Sequence, residues 1–353
     1  MSTIDGAQMS GSGTIVRYAV ALVALFGGPV RIVNARQKRR KPGLRPQHVT
    51  SVHACAELCG DTVEGAEVGN RTFDFIPGSE IRGGSFEWDI GTSGSATMLA
   101  LSVLPVACFA ASPVRAQITG GLIQDFAPSP FHMQYVLAPL LGSMGLDLSL
   151  GVIRPGYVPG GGVIEMSVMP RRAGLDALVL SAAGQVSDVH GIALPSHLAD
   201  RRGSERMASV CEAQIRGAGM TCAIDRPDDV TAAHAGACLA IWAKSNTGSW
   251  FGADRAGQFG RTSEQIGRFV AATFLEDVRS GATVDRHLAH QLVLFCALAD
   301  GVSSSFLDGL DQLATYAFQL DGSMRRQLVL PGRHLRRQFL VGDGVITRSA
   351  QPT

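Results

Sequence analysis

Short apolar runs separated by glycine set the rhythm of this chain. Val30–Val33, Thr72–Phe75, Phe86–Ile90 and Val114–Thr119 are rich in β-branched and aromatic residues, and each reads as a strand. Between them, Gln47–Cys59, Ser95–Ala111 and Ser129–Met144 are long enough, and apolar at the right spacing, to read as helices. The apolar stretch Val16–Val30 contains Arg17 and Tyr18 and closes on Gly27-Gly28-Pro29, so it is too short and too interrupted to cross a bilayer and reads as a core helix. Gly27-Gly28, Gly83-Gly84, Gly120-Gly121 and Gly160-Gly161-Gly162 mark tight turns between the runs.

The order strand, helix, two strands, helix, strand, helix recurs roughly every 80 to 90 residues. This predicts an α+β fold of repeated units, each laying helices on one face of a sheet. Composition shifts at Pro170-Arg171-Arg172-Ala173-Gly174. The stretch 181–262, with a helix expected at Ser196–Ala218 and a strand at Ala237–Lys244, reads as a small inserted α/β domain. It separates a body of two repeats, 1–180, from a third repeat, 263–353. That last part opens with helices at Ser263–Ser280 and Asp285–Ala299 and ends in two strands around Gly342-Asp343-Gly344.

Composition adds limits. With 46% apolar and 17% charged residues the chain is globular, not disordered. A net charge of +1 argues against wholesale electrostatic binding of nucleic acid but leaves room for a local basic patch. The seven cysteines form no paired CxxC zinc pattern, and Cys55 and Cys59, four apart, read as small packed residues of a helix. Reduced thiols and a small, polar amino terminus predict a soluble cytoplasmic protein.

Basic residues cluster once, at Arg36, Lys38, Arg39, Arg40, Lys41 and Arg45. Such a run is either a solvated loop or a phosphate-binding loop in which several guanidinium groups grip phosphate oxygens. Pro42-Gly43-Leu44 stiffens the segment and favours the second alternative.

Several stretches together are similar to the RNA 3′-terminal phosphate cyclase family. They begin with Asp5-Gly6-Ala7-Gln8, a glycine-rich turn and Arg17, and continue through the basic run Arg36 to His48. Glu64–Gly69, Phe75–Gly78, Gly83-Gly84, Asp89–Thr97, Gly156–Gly162, Leu194–Ala199, Gly257–Glu264 and Leu288–Leu292 follow in order, covering nearly the whole chain. The resemblance implies three α+β repeats with an inserted domain between the second and third. It also implies ATP, with Mg²⁺ or Mn²⁺, as cofactor and an RNA 3′ end as partner. In the family's reaction a histidine takes AMP from ATP, AMP passes to the RNA 3′-phosphate, and the adjacent 2′-hydroxyl displaces it to leave a 2′,3′-cyclic phosphate. Arg17, Arg36, Arg39, Lys41, Gln47 and His48 are the implied nucleotide- or RNA-phosphate-binding residues.

The chain departs from the family's pattern at the chemistry. Where the opening turn of the family carries an acid and an amide stand Ser10 and Thr14, and a glutamine position beyond Gly94-Ser95 is Leu101. A serine hydroxyl is a far weaker ligand than a carboxylate for Mg²⁺. The family's late tyrosine and aspartate fall on His287 and His290, which read either as a polar helix face or as a replacement proton or metal site. Its nucleophilic histidine falls on Ala314 or Gly322, and the nearest histidine is His334. His334, His290 and His287 are therefore the candidate nucleophiles, and loss of the nucleophile is expected to cost several orders of magnitude in rate. Three alternatives stay open: a divergent cyclase, a non-catalytic RNA-binding relative, and a binder of a small phosphorylated metabolite. No P-loop or dinucleotide-binding glycine motif is present, and no RNP-type aromatic motif supports base stacking.

Overall fold

The computed structural model describes residues 1–8, 11–60, 62–171, 173–300, 304–305, 337–342 and 345–350. Its first part is one α+β unit built twice. The first unit runs β1 (Ser2–Asp5), α1 (Gly13–Phe26), β2 (Val30–Val33), α2 (Pro46–Cys59), β3 (Thr62–Glu64) and β4 (Phe73–Ile76). The second runs β5 (Gly84–Asp89), α3 (Ala96–Ala107), β6 (Val114–Gly120), then α4 (Pro130–His132) and α5 (Ala138–Ser143) joined by a π turn over Met133–Leu137, then β7 (Asp147–Arg154) and β8 (Gly162–Met169). The sheets share one topology, β1-β2-β4-β3 and β5-β6-β8-β7, with the first pair parallel and the others antiparallel.

Local chemistry explains these boundaries. Ser12 and Ser95 cap α1 and α3, accepting the backbone N–H groups of Thr14 and Met98. Pro46 opens α2, where its fixed φ suits a helix start, and Gly60 ends that helix in the left-handed region. Gly27, at φ +77°, stops α1 after Phe26, so Val30 opens the next strand and does not extend the helix. In β6 buried residues alternate with more exposed ones, as expected of a strand with one face on the core. Helices α1, α2 and α3 pack on one another, and their apolar faces share one core with both sheets and with α8 (Arg286–Leu298).

The later part holds a second core. Two short strands, β9 (Leu175–Asp176) and β10 (Val179–Leu180), precede β11 (Asp188–Ser196), α6 (Gly203–Gly217), β12 (Thr221–Asp225), β13 (Gly236–Lys244), β14 (Trp250–Ala256) and α7 (Ser263–Arg279). The sheet order is β12-β11-β13-β14. Met207, Cys211 and Ile215 of α6 and Ile266, Val270 and Phe274 of α7 lie with this sheet in a core of their own. The boundary expected at 262 falls just ahead of α7, whose apolar face joins this core. Beyond α8, β15 (Ala299–Asp300) and β16 (Ser304–Ser305) pair in parallel with β9 and β10, so the segments flanking this unit meet each other. β17 (Arg337–Gly342) and β18 (Val345–Ala350) form the expected closing antiparallel pair.

One expected element is corrected. The helix expected from Ser196 starts later: β11 runs through Pro195 to Ser196 and pairs with β13 from His190 to Ser196, and α6 begins only at Gly203. His197 and Arg202, both at positive φ, break the chain between the two elements.

Candidate functional site: a cationic cleft at the strand ends

The connections leaving the two parallel pairs, β1–β2 in one sheet and β5–β6 in the other, all contribute to one cleft of about 400 Å³. Ligands of α/β proteins bind at such carboxyl ends of strands, where backbone N–H groups of the following helices point outward. Here the starts of α1, α2 and α3 supply that positive end three times over. The lining residues include Ser12, Gly13, Thr14 and Arg17 after β1, and Arg36, Arg39, Gln47 and His48 after β2. Ser95 and Met98 after β5, and Gln124 to Ala127 after β6, complete it.

Five of the six expected phosphate-binding residues, Arg17, Arg36, Arg39, Gln47 and His48, therefore meet in one place. Lys41 is not among the lining residues: its side chain is exposed, and its backbone carbonyl accepts from Arg36 Nη1 at 3.0 Å. The same Nη1 donates to Gly43 O at 2.6 Å, so part of the Arg36 guanidinium folds the basic loop onto itself. Arg17 donates to Thr14 Oγ1 at 3.2 Å, which gives that threonine a positioning role within the turn. Gln47 Oε1 accepts from Ser95 N at 2.8 Å and joins the start of α2 to the start of α3. Asp5 Oδ1 likewise accepts from Ala7 N and Asn34 Nδ2, linking the turns that follow β1 and β2. Leu101 packs against the core.

The electrostatics of the cleft are unbalanced. Burial, together with the neighbouring charges of Arg36 and Arg39 and against an opposing effect of Tyr18, brings the Arg17 guanidinium down to about 10. Burial and the charges of Arg45 and Arg39 also lower Arg36. Among the described residues no carboxylate pairs with Arg17, Arg36 or Arg39; the one acid of the cleft, Asp125, is held by Arg261 at 2.9 Å and Arg255 at 3.5 Å. Three cations with no counter-charge among the described residues, beside three helix N-termini, suit an anion.

His48 is pushed down to about 3, first by burial and then by Arg17 and Arg36, so it is neutral near pH 7. Its Nδ1 accepts the Arg45 backbone N–H at 3.2 Å, which places the ring proton on Nε2. In that tautomer His48 is a hydrogen-bond donor at Nε2 and not a nucleophile there. The ring sits against Gly13, where an added Cβ would collide with Nε2 and lie 2.6 Å from Cδ2. Gly13→Ala is thus expected to displace His48 and cost about 1–3 kcal/mol by overpacking, read as a lower urea midpoint at unchanged slope. A wild-type midpoint would show that the ring moves aside freely.

The two candidate nucleophiles among the described residues, His287 and His290, do not join this cleft. His287 is exposed on α8 and its backbone N–H is accepted by Asp285. His290 is half-buried, and burial followed by the charge of His287, against an opposing effect of Asp285, lowers it to about 4. Neither histidine lines the cleft, although the backbone carbonyl of His290 accepts from the hydroxyl of Tyr18, next to Arg17. His334, Ala314, Gly322 and Ser10 lie outside the described residues.

The implied divalent metal does not fit the residues in view. Among the described residues no group of three or more His, Cys, Asp and Glu side chains is suited to a metal ion, and Asp125 is already engaged by two arginines. Also among the described residues, no helix is long and apolar enough to cross a membrane.

Sequence reasoning passed over Gln124 to Ala127, which no motif marks, and the polar seam behind them. There His132 Nε2 meets Asp285 Oδ2 at 3.1 Å, and Asp254 Oδ2 accepts from Ser129 N at 3.1 Å. These contacts join α4 to β14 and α8.

Comparison with known proteins fits this arrangement. A family model described as RNA 3′-terminal phosphate cyclase matches residues 8–320. A protein of Hyperthermus butylicus named RNA 3′-terminal phosphate cyclase is 38% identical over 314 residues, covering 86% of each chain. A protein of the same name from Nitrosospira multiformis is 37% identical over 308 residues, covering 86% of this chain and 85% of its own. One from Pyrobaculum neutrophilum is 34% identical over 304 residues, covering 85% and 86%.

Proposed function

The chain belongs to the RNA 3′-terminal phosphate cyclase family, and on that premise we propose that its cleft takes the phosphorylated 3′ end of an RNA for ATP-dependent cyclisation. The observation that carries this is the convergence of Arg17, Arg36 and Arg39, which have no carboxylate partner among the described residues, on the N-termini of α1, α2 and α3.

The chemistry explains the need for such a place. A phosphate monoester is a poor electrophile until it is joined to a good leaving group. In the family's reaction AMP from ATP becomes that group as pyrophosphate departs. The neighbouring 2′-hydroxyl then attacks phosphorus and loses its proton, and AMP leaves with the bonding electrons. Two phosphate groups must therefore approach each other, and their mutual repulsion is the obstacle. Preorganised guanidinium and backbone N–H donors lower it without reorganising during the reaction. Neutral His48 adds an Nε2–H donor to that set without adding charge.

No step is routed through a divalent metal, since the described residues offer no ligand set for one. A cytoplasmic location is part of the same proposal, supported by seven buried cysteines, none of them in a disulfide.

The test is incubation with radiolabelled ATP and a 3′-phosphorylated RNA. The expected result is an ATP-dependent, phosphatase-resistant RNA end with AMP on the protein, and mapping the label decides among His334, His287 and His290. Retained RNA binding with neither product would show that the fold serves recognition alone.

A further inference from the structure

Two phenylalanine side chains stand fully exposed beside this cleft. Phe126 lines the cleft itself, and its backbone has φ +68°, a conformation that residues bearing a β-carbon avoid. Phe259 stands on the loop between β14 and α7, and lines an adjoining depression with Arg255, Gln258, Arg261 and Phe269. An isolated exposed apolar residue needs no explanation, but two whole aromatic rings beside a cationic cleft do.

The two loops are tied together. Arg261 donates Nη2 to Asp125 Oδ2 at 2.9 Å and Nη1 to Asp125 Oδ1 at 3.3 Å, one residue before Phe126. It also donates to Gln258 Oε1, one residue before Phe259, at 2.9 Å, and to the Ala256 carbonyl. Arg255 adds a second contact to Asp125 and lies over the Phe269 ring at 4.1 Å. This single buried carboxylate thus fixes the base of both loops while leaving both rings in solvent.

Resting on the RNA-end assignment above, we propose that Phe126 and Phe259 form a stacking platform for the bases of single-stranded RNA leading to the 3′ end. Phe126 lines the same cleft as Arg17, Arg36 and Arg39, so it meets the base of the terminal nucleotide. Phe259, in the adjoining depression, meets a base further from the end. The occupant follows from charge: an apolar protein segment gains nothing from three guanidinium groups that have no carboxylate partner among the described residues, whereas a nucleic acid presents a π-face and a phosphate at every residue. Stacking on aromatic side chains is indifferent to base identity, so the platform selects a flexible single-stranded end and not a sequence.

The experiment compares affinities for 3′-phosphorylated RNAs from a mononucleotide to a hexanucleotide, with an abasic hexanucleotide as control. Wild type is expected to bind more tightly as the RNA lengthens. Phe126→Ala and Phe259→Ala should each weaken hexanucleotide binding roughly tenfold. Phe259→Ala should leave the mononucleotide unaffected, and Phe126→Trp and Phe259→Tyr should keep the gain with length. Both rings are solvent-exposed, so thermal unfolding should be unchanged and a folding defect would be recognised.

Unaltered hexanucleotide affinity in both alanine variants, or the same losses on the abasic RNA, would overturn the platform while leaving the phosphate cleft intact. If wild type binds hexanucleotides equally with and without a 3′-phosphate and the phenyl losses persist, the phosphate cleft fails and the platform stands. No RNA binding at all overturns both. Self-association of wild type that Phe126→Ala or Phe259→Ala abolishes without changing RNA affinity would assign the rings to a second copy of the chain instead.

Discussion

Asp285→Ala is expected to cost about 3–5 kcal/mol of folding stability, the range for breaking a buried ion pair by removing one partner. The carboxylate and the His132 ring have side chains only 0% and 2% exposed. Oδ2 accepts from His132 Nε2 at 3.1 Å and from Gly252 N at 3.0 Å, while Oδ1 accepts from His287 N at 2.9 Å and Leu288 N at 2.8 Å. One acid thus caps α8, anchors β14 and neutralises His132. Removing it leaves buried donors without partners, and the His132 Nδ1 already has none among the described residues.

The same pair sets a pH dependence. Burial raises the Asp285 carboxyl, but the charge and hydrogen bond of His132 and the Leu288 N–H outweigh it and leave the carboxyl below its ordinary value. Its contribution is present above the unfolded value of about 4 and is lost as pH falls through the depressed folded value. Burial lowers His132, but the charge and hydrogen bond of Asp285 outweigh that and hold it above its ordinary value. Its contribution is full below about 6.5 and fades as pH rises through the raised folded value. Urea unfolding across pH should show wild-type stability lost at both ends, and Asp285→Ala should flatten the profile. A variant as stable as wild type, or with the wild-type profile, would contradict the account.

Arg39→Ala is expected to weaken binding of a 3′-phosphorylated RNA by roughly 10- to 100-fold, the equivalent of one charge-assisted hydrogen bond of about 1.5–3 kcal/mol. Arg36→Ala should lose a similar amount and also loosen the basic loop, because Arg36 holds the Lys41 and Gly43 carbonyls. The salt dependence distinguishes a phosphate contact from a general loss of structure: the log–log slope should fall by about one for each arginine removed. Unchanged affinity and slope in both variants would remove the phosphate-gripping role.

The parts legible in sequence were those made by neighbours in the chain. Glycine-bounded runs marked β2, α2, β6 and α7 because turn chemistry and periodicity are local. The basic loop is legible because its charges are neighbours in the chain, whereas Arg17 is implied by the family resemblance. β11 is not legible because Gly191 and Pro195 look like breakers, yet it is held by β12 over Asp188–Ile192 and by β13 over His190–Ser196, and the Pro195 carbonyl accepts from Asp229 N. His132 and Asp285, 153 residues apart, and the Asp125–Arg261 tie, 136 apart, exist only after folding. Two histidines three apart on α8 suggested a shared site, but one is exposed and the other half-buried, and neither lines the cleft. No aromatic motif marks Phe126 or Phe259 in the sequence, because motifs record local spacing and the loops that carry these rings are tied together, through Asp125 and Arg261, only in the fold.

The most direct test of the central claim is the affinity of the wild-type protein for one RNA carrying either a 3′-phosphate or a 3′-hydroxyl, measured across a range of salt. A cleft built by Arg17, Arg36 and Arg39 predicts tighter binding and a steeper salt slope for the phosphorylated end, with the difference removed in Arg36→Ala/Arg39→Ala. Equal affinity and equal slope for the two ends would contradict it.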